Sequence, residues 1–221
     1  MTGIELQVEP THLTVDIDPL PKWKRAVDLI GASMGLVLLL PIFVVVALLI
    51  KFASRGPVFF KHQRYGFAGK PFWVWKFRTM QMTINPQAHQ EHVKDLFEGQ
   101  RVLKKLDDPG QLIPLGKLLR SSAIDELPQL INILKGEMSL VGPRPDVVPL
   151  DEYIAKHQVR FKVAPGMSGL WQISGKNDTT FNEMMQLDAQ YVANRSFWLD
   201  VKILFLTGPT IIKLVVDELL S

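Results

Sequence analysis

An uncharged apolar run at positions 29–50 constrains the fold more than any other feature of this chain. As a straight helix it would be about 33 Å long, enough to cross a hydrocarbon core of about 30 Å. A membrane-spanning helix is therefore the default interpretation. A buried core helix ranks last, because uncharged runs of this length are rare in soluble domains.

Two features favour a helix that enters the membrane, bends and leaves on the same face. Pro41 lies near the middle of the run, where it removes a backbone hydrogen bond and kinks a helix. Both flanks are also basic, whereas a spanning helix usually shows a bias toward one side. The flanking cations are Lys22, Lys24 and Arg25 before the run, and Lys51, Arg55, Lys61 and Arg64 after it. The pattern favours the re-entrant helix, and the spanning helix stays open.

The sequence that follows the apolar run has the mixed polar and apolar pattern of a globular domain. We predict a flexible leader at 1–21, a re-entrant membrane helix at 22–55 and a domain at 56–221 with amphipathic helices that lie on the bilayer. The fold class is α+β, mostly helical, with one short β-hairpin. The hairpin is expected at 57–61 and 72–77, helices at 86–106, 114–122, 127–135, 149–162 and 180–195, and a helix pair at 197–216.

The leading candidate for chemistry is an adjacent acidic pair, Asp125 and Glu126, just upstream of Pro128. Because proline lacks an N–H, it belongs in the first turn of a helix, which puts Asp125 at or beside the N-cap. A helix N-terminus keeps a carboxylate ionised and attracts phosphate. Two adjacent carboxylates can also share Mg²⁺. The alternative is a plain helix cap, which for an isolated Asp-Glu-x-Pro is the commoner case.

Cations between apolar or aromatic residues form a second group of candidates. Arg144 stands between two prolines that stiffen the chain, and a held guanidinium suits bidentate phosphate binding. A surface turn with a solvated arginine explains the same pattern. A diphosphate would need several such groups, and a solvated or lipid-facing basic surface is the alternative for each. The other candidates are Arg64, Lys76, Arg78, Arg120 and Arg160.

Several classes of site are excluded or left open by composition. The chain has no cysteine, so it has no disulfide, thiolate metal site or cysteine nucleophile. A net charge of +3 suits an anionic lipid surface, a phosphorylated substrate or nucleic acid. The basic residues crowd the membrane flank and the acidic pair, which argues against nucleic acid as the functional partner. The loop 171–178 could recognise a nucleotide or a sugar, or could be a turn with a core tryptophan.

Taken together, these segments resemble the bacterial sugar transferases, and in particular the small monotopic polyprenyl-phosphate phosphoglycosyl transferases. The resemblance runs from about Lys24 to about Lys213 and is most specific from Leu115 to Pro145. Its motifs are KRAVDLIGASMGLVLLLP, GPVFFKHQRYG, FWVWKFRTM, LGKLLRSSAIDELPQLINILKGEMSLVGPRP, RFKVAPGMSGLWQISGK and SFWLDVKILFLT. The segment GKNDTTFNEMMQLDAQYV is most similar to members that start exopolysaccharide synthesis with a hexose.

The resemblance implies a mechanism and a location. Asp125 would attack the β-phosphorus of a UDP-sugar, UMP would leave, and undecaprenyl phosphate would then attack the aspartyl-phosphosugar. Asp125 and Glu126 would be the catalytic residues and the Mg²⁺ ligands, and Pro41 the break of the re-entrant helix. The residues predicted to bind substrate or phosphate are Arg64, Lys76, Arg78, Arg120, Arg144, Arg160 and Asp188. The expected location is the cytoplasmic face of the bacterial inner membrane, and a homodimer is one option for the assembly.

A non-catalytic membrane scaffold for polysaccharide assembly is the rival from a different class. The intact acidic pair beside Arg120 and Arg144 argues against a scaffold. Release of UMP from a UDP-sugar distinguishes the two.

Overall fold

The computed structural model describes residues 16–81, 111–175 and 179–220. These residues are mostly helical with two small sheets, which confirms the predicted α+β class. The predicted helix at 86–106 lies outside the described residues. The elements in chain order are α1 (Lys22–Leu38), α2 (Leu40–Ala53), β1 (Phe59–Tyr65), β2 (Pro71–Phe77), α3 (Gly116–Ser121), α4 (Gln129–Lys135), β3 (Ser139–Val141), β4 (Gly166–Ser168), α5 (Leu170–Ile173), α6 (Phe181–Ala193) and α7 (Phe197–Leu220).

The apolar run is broken where the sequence predicts a break. Helices α1 and α2 meet at Leu39 with a bend of 59°. Pro41 stands in the first turn of α2, where no N–H is needed, whereas in an unbroken helix its ring would clash with the carbonyl of Val37. Within the described ranges no single helix meets the length and hydropathy criteria for a span, and the bent pair meets them jointly. Insertion of the pair into a membrane stays a prediction.

Helix α1 is fastened to three other elements by its polar residues. The Lys24 ammonium donates to Asp200 of α7 at 2.5 Å. Arg25 donates to two carbonyls in the last turn of α4, at 2.6 and 2.8 Å. The Asp28 carboxylate accepts hydrogen bonds from the Ser139 hydroxyl at 2.9 Å and from the next backbone N–H of β3 at 2.8 Å. Lys24 and Arg25 therefore bind partners inside the protein. Two of the flanking cations that favoured a re-entrant helix are thus explained by the fold.

Helix α2 is joined to the β-hairpin through Arg78. Strands β1 and β2 are antiparallel from the pair Phe59–Phe77 to the pair Tyr65–Pro71, as predicted. Just after β2, the buried Arg78 guanidinium donates to three backbone carbonyls at 2.7, 3.0 and 3.2 Å. These carbonyls belong to residues 54–57, which follow the last turn of α2. Arg78 therefore supplies hydrogen-bond donors to the backbone that connects α2 to β1.

Two glycines allow strands β3 and β4 to approach closely. A Cβ atom on Gly166 would lie 2.0 Å from the backbone nitrogen of Gly142, and one on Gly142 would lie 2.5 Å from the carbonyl of Ala164. The strands are parallel, and Gly142 donates to the carbonyl of Ser168 at 2.9 Å. This contact joins the Gly-Pro-Arg-Pro segment, which begins at Gly142, to strand β4, which begins at Gly166. Larger residues cannot replace either glycine, because a Cβ atom would overlap the neighbouring backbone.

Three predicted elements differ from the structure. Residues 149–162 form two 3₁₀ segments, Leu150–Glu152 and Ala155–Lys162, in place of an α-helix. Residues 197–216 belong to one helix, α7, which continues through Pro209 rather than dividing there. The end of the predicted leader is also held, because Asp18 pairs with Arg195 at 2.7 Å. The ion pair joins segments that are far apart in the chain, so no local sequence pattern predicts it.

Two glycine substitutions test the helix assignments. Gly136 ends α4 with a φ of 82°, and a Cβ there would meet only the Arg25 side chain at 3.6 Å or more. Gly136→Ala should therefore destabilise the fold by about 1 kcal/mol through backbone strain alone. Gly208 lies inside α7, and a Cβ added to it would have nothing within 4 Å, so Gly208→Ala should stabilise by about 0.5–1 kcal/mol.

Thermal unfolding in detergent micelles, followed by circular dichroism, measures both variants. The midpoint should fall for Gly136→Ala and rise for Gly208→Ala. A Gly136→Ala variant that unfolds at the wild-type temperature would contradict the left-handed cap of α4.

Candidate active site

The acidic pair lies in its own short turn between α3 and α4. Asp125 and Glu126 belong to the 3₁₀ segment Ile124–Glu126, and both are 4% exposed. Ala123, just before this segment, has a φ of 55°. A left-handed alanine costs about 1–2 kcal/mol, so the surrounding packing must hold this turn. The segment places both carboxylates in the interior of the protein.

The expectation that Asp125 lies at or beside the N-cap of the following helix is wrong. Helix α4 begins at Gln129, and its N-cap is Pro128. The 3₁₀ segment is continued by hydrogen bonds from Glu126 to Ala123 and from Leu127 to Ile124, at 3.0 and 3.2 Å. Because these i+3 bonds form a separate turn before the α-helix starts, the acidic pair precedes the helix terminus.

Glu126 is held by two cations from distant parts of the chain. Arg144 donates from both terminal nitrogens to the two carboxylate oxygens, at 2.6 and 3.1 Å. Lys76 donates to the same carboxylate at 2.9 Å. A bidentate guanidinium pair fixes orientation as well as charge, and two cations compensate a carboxylate that would be costly to bury alone. The structure thus brings together Glu126, Lys76 and Arg144, and their binding of phosphate stays a prediction.

The pKa values of Lys76 and Arg144 are shifted in opposite directions, because burial dominates at Lys76, whereas at Arg144 burial is outweighed by the charge and hydrogen bonds of Glu126. Burial lowers the pKa of Lys76 to about 8, although the charge of Glu126 opposes the shift. Burial alone would lower the pKa of Arg144 as well, but the charge and hydrogen bonds of Glu126 outweigh it, and that pKa lies above its usual value. Arg144 therefore stays a fixed cation, whereas Lys76 is charged at neutral pH and would lose its proton at mildly alkaline pH.

Arg64 is a third cation in the same neighbourhood. Burial, followed by the positive charge of Arg144, lowers its pKa to about 10, and the charges of Asp146 and Glu126 partly restore it. Its hydrogen bond is to the ring of His62 at 3.4 Å, and within the described ranges it makes no ion pair. A guanidinium has five N–H donors, so Arg64 retains donors for a phosphate.

Lys76 is positioned by Asn132, a residue that the sequence analysis did not single out. The Asn132 side chain of α4 is fully buried, accepts from the backbone N–H of Trp75 at 3.1 Å and donates to the carbonyl of Trp73 at 2.7 Å. These bonds fix the part of β2 that carries Lys76. A buried asparagine inside the apolar helix QLINILK is the signal that could have identified it, since buried amides need partners.

Arg160 and Asp188, two predicted substrate ligands, lie together in the interior. Their side chains are 3% and 1% exposed, and the nearest nitrogen and oxygen are 3.0 Å apart. Arg160 also donates to the carbonyl of Arg144 at 2.8 Å and to Asp146 at 2.5 Å. The structure gives both residues partners within the protein, and their role as substrate ligands stays a prediction.

The remaining candidates have different surroundings. Arg120 is half-buried in the last turn of α3, one turn before the acidic pair, and its carbonyl accepts from the N–H of Ala123 at 3.3 Å. Arg78 directs its donors at the backbone that follows α2. Trp171 is buried in a cluster with Phe161 and Met185, and residues 176–178 of that loop lie outside the described residues.

The acidic pair fits Mg²⁺ only when a substrate supplies further ligands. Mg²⁺ usually binds one or two carboxylates together with substrate phosphates and water. In the part of the chain that the structure describes, no group of three or more histidine, aspartate or glutamate side chains could hold a metal. Asp125 and Glu126 are hard oxygen ligands of the right kind, and Glu126 already serves Lys76 and Arg144. A diphosphate would have to complete the coordination.

The chain is similar to known proteins over nearly its whole length. The family model described as bacterial sugar transferase matches residues 21–214. The exopolysaccharide production protein ExoY of Rhizobium meliloti is 40% identical over 192 residues, which cover 85% of this chain and 84% of that protein. The UDP-glucose:undecaprenyl-phosphate glucose-1-phosphate transferase of Klebsiella pneumoniae is 40% identical over 84% of this chain and 39% of its own length. The undecaprenyl-phosphate galactose phosphotransferase of Salmonella typhimurium is 35% identical over 86% of this chain and 40% of its own length.

The family model covers the α1–α2 pair, the acidic turn, the strand that carries Lys76 and the segment that carries Arg144. The chain belongs to the bacterial sugar transferase family.

Proposed function

We propose that this protein transfers a sugar-1-phosphate from a UDP-sugar to undecaprenyl phosphate at the cytoplasmic face of a bacterial inner membrane. The observation that carries the proposal is the buried acidic pair, Asp125 and Glu126, surrounded by Lys76, Arg144 and Arg64. An acidic pair beside three cations suits attack on a phosphoryl group, because one carboxylate can act as nucleophile while the cations offset the charge of a diphosphate. The names of relatives that act on undecaprenyl phosphate with glucose or galactose support the same reaction class.

The first step is a displacement at the β-phosphorus of the UDP-sugar. An oxygen of Asp125 forms a bond to this phosphorus, and the bond to the oxygen that bridges to the α-phosphate breaks. UMP leaves with that oxygen, and the sugar phosphate remains on Asp125 as an acyl phosphate. Arg64, with donors to spare, is placed to bind phosphoryl oxygens. Arg144 and Lys76 neutralise Glu126 and hold it beside the nucleophile.

In the second step an oxygen of the lipid phosphate attacks the phosphorus of the intermediate. The bond between phosphorus and Asp125 breaks, which restores the carboxylate and gives the polyprenyl-diphosphate sugar. Splitting one displacement into two is the usual advantage of covalent catalysis. When bound by Asp125 and Glu126 together with the diphosphate, Mg²⁺ would offset the charge on the phosphoryl oxygens.

Apolar surfaces on three helices support the membrane location. Helices α1, α2 and α7 each bury one face in the domain and expose large apolar side chains on another. The most exposed of them are Val37 and Leu38 on α1, Phe52 on α2, and Trp198, Phe205, Leu219 and Leu220 on α7. Exposed apolar area on this scale needs a covering surface, and a bilayer covers three helices at once.

Removal of the charge of Asp125 should abolish turnover without unfolding the protein. Asp125→Asn keeps the side-chain shape, so the circular dichroism spectrum should match that of the wild type. Release of UMP from a panel of UDP-sugars, measured with undecaprenyl phosphate present, should fall by about 10⁴-fold or more, in the range seen when a nucleophile is removed. With UDP-sugar and no lipid, mass spectrometry of the wild type should find a phosphosugar on the peptide that contains Asp125.

Glu126→Gln is the companion variant. It should also lose most activity, since a neutral amide weakens the ion pairs with Lys76 and Arg144. An Asp125→Asn protein with normal turnover, or an adduct on a different residue, would show that the acidic pair has only a structural role.

Loss of Arg64 should weaken donor binding. Arg64→Ala removes charge-assisted hydrogen bonds to phosphate, so KM for the UDP-sugar should rise by about 10-fold to 100-fold. Lys70→Ala is the matched control, because Lys70 is an exposed cation in the turn of the same hairpin. Steady-state UMP release measures both variants. Equal KM values for Arg64→Ala and Lys70→Ala would remove Arg64 from the phosphate site.

The location can be tested with single cysteines, since the chain has none of its own. Lys22→Cys and Arg55→Cys mark the two ends of the bent helix pair, and both positions are exposed. A membrane-impermeant maleimide should label both from the cytoplasmic side, as it should the control Ser174→Cys in the following domain. Labelling of the two ends from opposite sides would mean that the pair spans the membrane.

A further inference from the structure

Arg160 holds the loop that carries Arg144, here called the arginine loop (residues 142–146). One terminal nitrogen of Arg160 donates to the backbone carbonyl of Arg144 at 2.8 Å, and the other donates to the carboxylate of Asp146 at 2.5 Å. The Arg160 side chain is 3% exposed. It therefore contacts both the residue that reaches Glu126 and the residue that ends the loop.

Asp146 fixes the far end of the arginine loop. Its carboxylate accepts from the next two backbone N–H groups at 2.7 and 3.2 Å and from the Tyr153 hydroxyl at 2.5 Å. Its backbone exchanges hydrogen bonds with Tyr65 of β1, at 2.8 and 3.0 Å. The near end is fixed by the close approach of Gly142 and Gly166. Arg144 thus projects from a loop that is held at both ends.

Asp188 braces Arg160 from helix α6. Its carboxylate lies 3.0 Å from Arg160 and is 1% exposed. Burial raises the pKa of Asp188 to about 7, against the attraction of Arg160. The start of α6 is set independently, because Thr180 and Glu183 form a reciprocal capping box there. Arg160 is therefore fixed on one side by a helix that begins from its own local hydrogen bonds.

We propose that Arg160 and Asp188 are positioning residues for the phosphoryl transfer, and that neither touches the substrate. Arg160, braced by Asp188, sets the backbone of Arg144 so that its two terminal nitrogens meet Glu126 in a bidentate pair. The planar guanidinium of Arg160 donates to the Arg144 carbonyl and to Asp146 at the same time. A lysine ammonium cannot make both hydrogen bonds with the same geometry. The assignment rests on the proposed function of the acidic pair, and it differs from the substrate-binding role that the sequence analysis predicts for these two residues.

A double-mutant cycle distinguishes positioning from substrate contact. Arg160→Lys keeps the charge and loses the fork, so kcat/KM for UMP release should fall by up to about 10²-fold, as expected for a misplaced catalytic group. In an Arg144→Ala background the same substitution should have little further effect, because the residue that it positions is already absent. If Arg160 binds substrate itself, or if the loss is only structural, the two effects should multiply.

Asp188→Asn is the second variant, in case Arg160→Lys folds poorly. It keeps the shape and leaves Arg160 electrically balanced by Asp146, so folding should survive. We expect a smaller fall in kcat/KM, of about tenfold or less, again absent in the Arg144→Ala background. Asp18→Asn is the matched control, since it removes a half-exposed carboxylate from an ion pair with Arg195. Gly136→Ala controls for stability loss alone, and both controls should keep wild-type kcat/KM.

Binding of UDP, measured by calorimetry in detergent micelles, gives the same cycle without turnover, so an inactive Arg144→Ala protein does not prevent the test. Multiplying effects in both measurements, or wild-type kinetics for both Arg160→Lys and Asp188→Asn, would overturn the positioning role. A wild-type protein that releases no UMP from any UDP-sugar would instead overturn the proposed function. The two failures are therefore distinguishable.

Discussion

The site depends on the ion pairs that the buried Glu126 carboxylate makes with Lys76 and Arg144. It draws together an acidic 3₁₀ turn, a β-strand and a loop, which contribute Glu126, Lys76 and Arg144. A carboxylate that is 4% exposed is strongly unfavourable unless cations and hydrogen bonds compensate it. Because each partner comes from a different element, a displacement of any one of them removes part of the compensation of a buried charge. The arrangement of the three elements is thereby coupled to the chemistry of the site.

Each partner of Glu126 is in turn held by buried polar groups whose hydrogen bonds are made within the chain. Asn132 fixes the backbone of β2 beside Lys76, and Arg160 fixes the backbone of Arg144. Buried networks of this kind stabilise one geometry when they are satisfied and are costly when one member is lost. The protein therefore uses several of its charged residues to hold other charged residues, whereas Arg64 keeps donors to spare at the site.

The bent helix pair is connected to the same network. Asp28 of α1 accepts hydrogen bonds from Ser139 and the following N–H of β3, and β3 leads directly into the arginine loop. Arg25 closes the end of α4, which begins just after the acidic turn. Helix α1 thus contacts the elements on both sides of the site, so the apolar surface and the acidic pair belong to one packed unit.

The sequence alone determined the features that depend on local chemistry. The break beside Pro41, the hairpin, the end of α4 at Gly136 and the acidic pair follow from proline geometry, alternation, glycine conformation and adjacent carboxylates. It also identified Lys76 and Arg144 as cations of the site. Their meeting at Glu126 is a tertiary fact, because the three residues are far apart in the chain and no periodicity relates them.

Only the tertiary structure decided which charged residues serve the fold. Lys24 and Arg160 look the same in sequence as cations that face lipid or substrate, yet both are buried in ion pairs with Asp200 and Asp188. Likewise, α7 continues through Pro209 although the sequence predicts a pair of helices there. Burial and partner choice arise from contacts between distant segments, so the physical role of a charge is fixed only when the chain has folded around it.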